Sequence, residues 1–165
     1  MWKRLSLTIL FLAVGCTKKP TQDAADASSR APAPQTPVTE LGLFERLALQ
    51  ASNKNLADPP TQRVVEALTR AGIAITQQQQ QLGVSQAANY CLSLTTQSHL
   101  ILSVCEYADA KAAEAGAQAS RKALGAIQFR TVHVRRATTL SIIENPADAQ
   151  SAEAKLKAIA AFESL

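Results

Sequence analysis

Cysteine and histidine are the residues of this chain with the most chemistry available to them, and both are scarce. The sequence holds three cysteines and two histidines, His99 and His133, in 165 residues. A metal site needs several His, Cys or carboxylate ligands that converge on one point, and neither histidine has such neighbours in the sequence. The chain also lacks a Gly-x-Ser-x-Gly or Ser-x-x-Lys motif and a glycine-rich phosphate loop. We therefore expect no metal, no cofactor and no catalysis by this protein.

The segment that precedes Cys16 has the plan of an export signal. Lys3 and Arg4 form a basic start, residues 5–14 are mainly apolar, and small residues precede the cysteine. The apolar run is about half of the roughly 20 residues that a membrane-spanning helix needs. Ala13-Val14-Gly15-Cys16 resembles the lipobox of bacterial lipoproteins, in which an aliphatic or small residue and two further small residues precede the cysteine.

This resemblance covers residues 1–16 and implies a lipid anchor. It implies that Cys16 receives a diacylglycerol thioether, that residues 1–15 are removed as a signal peptide, and that the new amine is acylated, typically with palmitate. Several acyl chains on one residue hold a protein durably in a bilayer, because each buried CH₂ contributes about 0.8 kcal/mol to membrane binding. Thr17 follows the cysteine in place of aspartate, which by analogy implies the outer membrane, facing the periplasm or the cell surface.

Composition divides the rest of the chain into a tether and a domain. Residues 16–40 are rich in Ala, Pro and Thr and cannot bury a core, so we predict a disordered tether that reaches on the order of 25–30 Å. Residues 41–165 have globular patterning and are predicted to form a single domain. Lys3, Arg4 and the only tryptophan, Trp2, lie in the leader. Its removal lowers the net charge from +4 to about +2, so we expect no nucleic-acid partner.

The best-defined element is a hairpin from Asn89 to Tyr107. A three-residue turn at 97–99 would place Leu94 opposite Leu102 and Leu92 opposite Val104, all on one face of the strand pair. The other face would carry Ser93 opposite Ser103, and the same register brings Cys91 opposite Cys105. In an oxidising compartment this pair is expected to form a structural disulfide. Free buried thiols and a redox-active pair are the alternatives, although the pair lacks the Cys-x-x-Cys spacing of redox dithiols.

Four helices are predicted around this hairpin. A short amphipathic helix contains Phe44, and a second helix starts at Asp58-Pro59-Pro60 and stops at Gly72. Asp109 is predicted to cap a third helix that ends at Gly125. Asn145 is predicted to cap a last helix over residues 147–162, with Lys155 and Lys157 on its outer face.

Two more strand regions complete the pattern. Residues 73–81 are predicted to form a strand whose glutamine run is a solvated end. A second hairpin would turn at residues 135–137 and place Val132 and Val134 on the same face as Leu140 and Ile142, with His133 pointing outward to solvent. The predicted order is helix, helix, three strands, helix, two strands, helix. The fold class is therefore α+β, with a mainly antiparallel sheet of about five strands and helices packed on one face.

Charged residues offer two further candidate sites. Glu106 and Asp109 could form an acidic pair, but we interpret Glu106 as a strand-end carboxylate that meets water or an arginine. Five basic residues lie within sixteen positions and could contact anionic lipid or an acidic partner; a solvated rim is the other interpretation. They are Arg121, Lys122, Arg130, Arg135 and Arg136.

Together these features predict a lipid-anchored lipoprotein of the cell envelope. It would contact the membrane through its N-terminal lipid and present a small non-catalytic domain that binds an envelope partner or has a structural role. Two alternatives remain: an envelope enzyme whose active residues are scattered in the sequence, and a thiol-redox protein that uses Cys91 and Cys105.

Overall fold

A computed structural model describes residues 41–165 of the chain. The predicted signal peptide, the lipidation site Cys16 and the tether lie outside these residues. The order of helices and strands matches the predicted one, with an added 3₁₀ turn at Val84–Gln86. The elements are α1 (Leu43–Ala51), α2 (Thr61–Arg70), β1 (Ile75–Gln81), β2 (Tyr90–Thr96), β3 (Ile101–Glu106), α3 (Ala110–Ala123), β4 (Arg130–Arg135), β5 (Thr138–Ile143) and α4 (Ala149–Glu163).

The five strands form one sheet in the order β1-β2-β3-β5-β4, and every neighbouring pair is antiparallel. The α+β class and the five-stranded antiparallel sheet are thus confirmed. Within residues 41–165, no helix combines the length and apolar character needed to cross a membrane.

Alternating side chains of the central strands build the main core on one face of the sheet. Val64 and Leu68 of α2 and Ala158 and Phe162 of α4 are fully buried against this face. We call it the core face. Its apolar strand residues are Leu92, Leu94, Leu102, Val104, Leu140 and Ile142.

Helix α3 packs on the opposite side of the sheet, which we call the second face. Ala113 of α3 is buried in a smaller cluster with Tyr107 and the two cysteines. The expected arrangement placed the helices on one face, and α2 and α4 do share one. Helix α3 differs because Cys91, Cys105 and Val134 give one end of the second face an apolar patch that can bury a helix.

The second hairpin has a different register from the predicted one. Its turn has two residues, Arg136 and Ala137, because Arg135 pairs with Thr138, and Arg136 adopts a positive φ of 49°. A slip of one residue transfers every side chain of a strand to the other face. The predicted placement of Val132 and Val134 beside Leu140 was therefore wrong, since both valines lie on the second face.

The end of α2 agrees with the prediction from local sequence, and its start does not. Gly72 has a φ of 82°, and the Gly72 and Ile73 amides donate to the carbonyls of Thr69 and Leu68. This is the Schellman pattern that a glycine stop predicts. The start was wrong, because α2 begins at Thr61 after Pro60, which makes no side-chain cap. The Asn55 side chain accepts from the Gln62 amide at 3.0 Å.

The helix starts of α3 and α4 gave one confirmed and one wrong prediction. Asp109 caps α3 as predicted, since its carboxylate accepts from the Ala112 amide at 2.8 Å. Helix α4 is capped by Asp148 instead of Asn145, and the Asp148 carboxylate accepts from the Gln150 amide. Lys155, predicted to lie outside, is mostly covered and pairs with Glu144 at 2.7 Å.

Candidate functional site

The disulfide forms in the hairpin register that the sequence predicted. The turn at 97–99 closes with His99 at a positive φ of 57°, and Cys91 pairs directly with Cys105. The two cysteines are joined by a disulfide across β2 and β3. Each cysteine is 1% exposed, so the bridge is enclosed beneath α3.

Tyr107 and Gly116 explain how α3 comes close enough to enclose the bridge. The Tyr107 ring packs so near the α3 backbone that a Cβ at position 116 would overlap it. Glycine costs a helix interior about 1 kcal/mol relative to alanine, and here its missing side chain makes room for the ring. Burial raises the pKa of the Tyr107 phenol, an effect that the neighbouring Thr139 hydroxyl and Arg130 partly oppose.

Beyond the reach of α3, the second face remains open as a small groove. Its floor is a row of three serines, because Ser93 pairs with Ser103 and Ser103 pairs with Ser141 across β2, β3 and β5. The cavity measures about 150 Å³. We call it the serine groove. It is lined by Gln81, Gln86, Ser93, Ile101, Ser103, Leu124, Arg130, Ser141 and Ile143.

Exposed apolar side chains form the rim of the serine groove. Ile101 is 46% exposed and Leu124 is 38% exposed, and they approach from β3 and from the end of α3. Ligand sites in proteins combine an apolar lining with a few polar groups. The serine groove has both components, although it is smaller than a typical drug-sized pocket.

Two polar groups in the groove stand out. Ser141 is 8% exposed, and its hydroxyl is buried without a hydrogen-bond partner among residues 41–165. Arg130 lies half-buried at the side of the groove, where it donates to the Ser120 carbonyl and hydroxyl. Burial, and then the nearby Arg121, lower the pKa of the Arg130 guanidinium.

The five basic residues divide between the two ends of β4. Arg130 begins the strand and lies near Arg121, which donates to the Val132 carbonyl. Arg135 ends the strand, about 17 Å from Arg130 at ordinary strand rise. Arg136 follows it and pairs with Asp58 at 2.7 Å. Lys122 is exposed on α3. Contact of all five with one anionic surface stays a prediction, and of the five only Arg130 lines the serine groove.

The histidines occupy different environments. His99 is exposed in its turn, as predicted, and its Nδ1 lies 3.2 Å from the Asp148 carboxylate. His133 was predicted to point outward, which was wrong because the one-residue register slip places it on the core-face side. There its ring is mostly covered and its Nδ1 lies 3.6 Å from Glu163.

Glu106 has a role that the sequence interpretation missed. Its carboxylate is buried and accepts from the backbone amides of Asn55, Leu56, Ala57 and Thr61. Thr61 is the first residue of α2, so a β3 side chain supplies the helix cap. The expectation that Glu106 meets water or an arginine was wrong, because the 55–61 segment folds over the end of β3.

A wider depression lies along the exposed side of α2, but it is a weaker candidate for a ligand site than the serine groove. It measures about 810 Å³ and is lined by polar side chains such as Gln62 and Glu66, which already bond to each other at 2.9 Å. The serine groove is therefore the candidate site. The sequence analysis named Arg130 as a candidate anion contact and placed Ser93 opposite Ser103, whereas Ser141 joins them only through the pairing of β5 with β3, which the sequence left open. No protein-family model matches the chain, and no curated protein or solved structure shows significant similarity to it.

Proposed function

We propose that this protein is a lipid-anchored lipoprotein of the cell envelope whose domain is a binding module, with the serine groove as its ligand site. The leader and the Ala13-Val14-Gly15-Cys16 motif support the anchor. The observation that carries the binding role is the serine groove itself, which combines an apolar rim, an unpartnered hydroxyl and a guanidinium. An anchor would raise the local concentration of the domain near envelope ligands.

The enclosed disulfide supports a binding role over thiol exchange. Exchange requires a thiolate to attack one sulfur of the bond, and Cys91 and Cys105 are each 1% exposed. A bridge in this position holds β2 and β3 together beside the serine groove. We therefore assign the disulfide a structural role within this proposal.

Mass spectrometry of the protein extracted from cells tests the anchor. The expected N-terminal peptide begins at Cys16 and carries a diacylglyceryl group and an amide-linked acyl chain. The matched control is Cys16→Ala, which should retain the leader and acquire no lipid. Recovery of wild-type protein that still contains Trp2, or that has a free thiol at Cys16, would contradict the anchor.

Photo-crosslinking in cells tests the binding role. A p-benzoylphenylalanine at Ile101 lies on the groove rim, and one at Leu156, 69% exposed on α4, lies on the other side of the sheet. We expect a discrete adduct from position 101 that disappears when Arg130→Gln is added, and none from position 156. Equal labelling from both positions, or no adduct at 101, would refute the serine groove as the ligand site.

A further inference from the structure

The polar groups of the serine groove are arranged for one kind of ligand. We propose that the groove binds a carboxylate attached to a small apolar group. This inference rests on the proposed function, because it names the ligand class of the same site. The guanidinium, the serine row and the dimensions of the cavity favour this ligand.

Arg130 provides the charge and a fixed geometry. A guanidinium has five N–H donors, and two of the Arg130 nitrogens already donate to Ser120 of α3. The contact with Ser120 uses two of the five N–H groups and leaves three for a ligand, in a side chain that lines the groove. Parallel N–H donors match the two oxygens of a carboxylate. None of the side chains that line the groove is acidic, so the positive charge of Arg130 has no counter-ion there.

On the floor, the serine row provides a buried hydroxyl that is unpartnered within residues 41–165, that of Ser141, whereas the Ser103 hydroxyl already donates to the Gln81 side chain. Buried hydroxyls in native proteins nearly always have a partner, and leaving one without a partner costs free energy. The Ser141 hydroxyl is buried, lines the groove and has no partner among residues 41–165. A carboxylate oxygen or the water that accompanies it would supply this missing acceptor.

The size and lining of the cavity restrict the rest of the ligand. A volume of about 150 Å³ is well below the roughly 300–1,000 Å³ of common ligand pockets, which favours a group about as large as one aliphatic side chain. Ile101, Ile143 and Leu124 would contact an apolar group of that size. A phosphate is a poorer match, because it carries more charge into a site with a single guanidinium and no second cation among the residues that line it.

An NMR titration of the ¹⁵N-labelled protein with N-acetyl-leucine tests the ligand class. We expect saturable shifts at the Ser103 and Ser141 amides and the Arg130 Nε, with a Kd on the order of millimolar for so small a ligand. N-acetyl-leucinamide, which has the same apolar body without the charge, should bind at least about tenfold more weakly. Equal binding of the amide, or tighter binding of inorganic phosphate, would overturn the proposal.

Variants locate the binding. Arg130→Gln should weaken N-acetyl-leucine at least about tenfold, whereas Arg136→Gln, at the other end of β4, should leave its affinity unchanged. Ser141→Ala should weaken binding several-fold without lowering the unfolding midpoint, because it removes a hydroxyl that lacks a partner. Undiminished binding to both Arg130→Gln and Ser141→Ala would overturn the proposal.

Two further comparisons complete the test. A tetrapeptide that ends in a free leucine carboxylate distinguishes a chain terminus from a free acid: tighter binding than N-acetyl-leucine indicates the terminus, and equal binding indicates the acid. If position 101 gives the Arg130-dependent adduct in cells but N-acetyl-leucine does not bind, the ligand class is wrong and the binding module stands. If both experiments fail, the proposed function fails as well.

Discussion

At the scale of single residues, the close approach of Tyr107 to Gly116 depends on a missing side chain. Gly116→Ala is expected to destabilise the protein by about 1–3 kcal/mol through overpacking, although alanine is the better helix former. Urea unfolding measures the change. Tyr107→Ala is the matched background, because removal of the ring should turn the same substitution from destabilising to stabilising. Wild-type or greater stability of Gly116→Ala alone would contradict the packing argument.

The titration of Asp148 is sensitive to its contact with His99. The hydrogen bond with His99, and then the Gln150 amide, lower the pKa of the Asp148 carboxyl below its ordinary value of 3.8. The folded protein therefore binds this proton less readily than the unfolded chain. The stabilisation is present above about pH 4 and is lost as the pH falls through the folded-state pKa.

We expect His99→Ala to raise the pKa of Asp148 toward its ordinary value, as followed by ¹³C NMR of the carboxyl groups between pH 2 and pH 6. Glu153 is the internal control, because its pKa is lowered by Lys157 on the same helix and should not move. An unchanged pKa of Asp148 in the variant would show that the contact with His99 does not form in solution.

At the scale of elements, the carboxylate of Glu106 organises the segment that leads into α2. It collects four backbone amides from residues 55–61. Glu106→Gln would place side-chain N–H donors against these amides, so buried amides would lose their acceptor. We expect the free energy of unfolding to fall by about 2–4 kcal/mol. Chemical denaturation measures the loss.

Asp58→Asn is the matched control for Glu106→Gln. Asp58 lies in the same segment, but its ion pair with Arg136 is about half exposed on both sides, so its removal should cost less than about 1 kcal/mol. A similar cost for the two substitutions would contradict the capping role of Glu106.

The strand register was predictable from sequence in one hairpin and not in the other. In β2 and β3, the apolar alternation and the pairing of Cys91 with Cys105 independently favour one register, and that register is confirmed. In β4 and β5, the turn lacks the glycine or asparagine that usually marks a two-residue loop. Val132 and Val134 suit either face of the sheet, so their pattern could not detect the slip.

The start of α2 was unpredictable for a different reason. Its first amide is capped by Glu106, 45 positions away from Thr61, and its second by Asn55, whereas local capping rules consider only the residue next to the helix. Ser141 was missed in the same way, and Arg130 was predicted as an anion contact but not placed beside the serines, because the serine groove exists only when β5 lies beside β3 and α3 stops short of the open end. Local elements were therefore predictable, and the site that depends on their assembly was not.

At the scale of the whole molecule, the two faces of the sheet are used differently. The core face is filled by α2 and α4. The second face is covered by α3 at its cysteine end and left open over the serine row. Antiparallel sheets commonly pack one face on the core and leave the other in contact with water. This division explains how so small a domain can present a groove on the backbone of its own sheet.

The disulfide contributes to both faces of the sheet, because it links β2 and β3 and these strands have side chains on each face. Its loop has a sequence separation of 14, for which chain entropy predicts about 3 kcal/mol of stabilisation. We expect the free energy of unfolding of the Cys91→Ala/Cys105→Ala protein, measured in urea, to be lower by about that amount.

Because the cysteine cluster also supports α3, amide exchange should accelerate at Ala113 and Ala117 and at Ser103 of the groove floor. The wild-type protein with a measured thiol count of zero is the reference. An unfolding midpoint equal to that reference would mean that packing alone holds β2 against β3 and that the bridge contributes nothing to the groove.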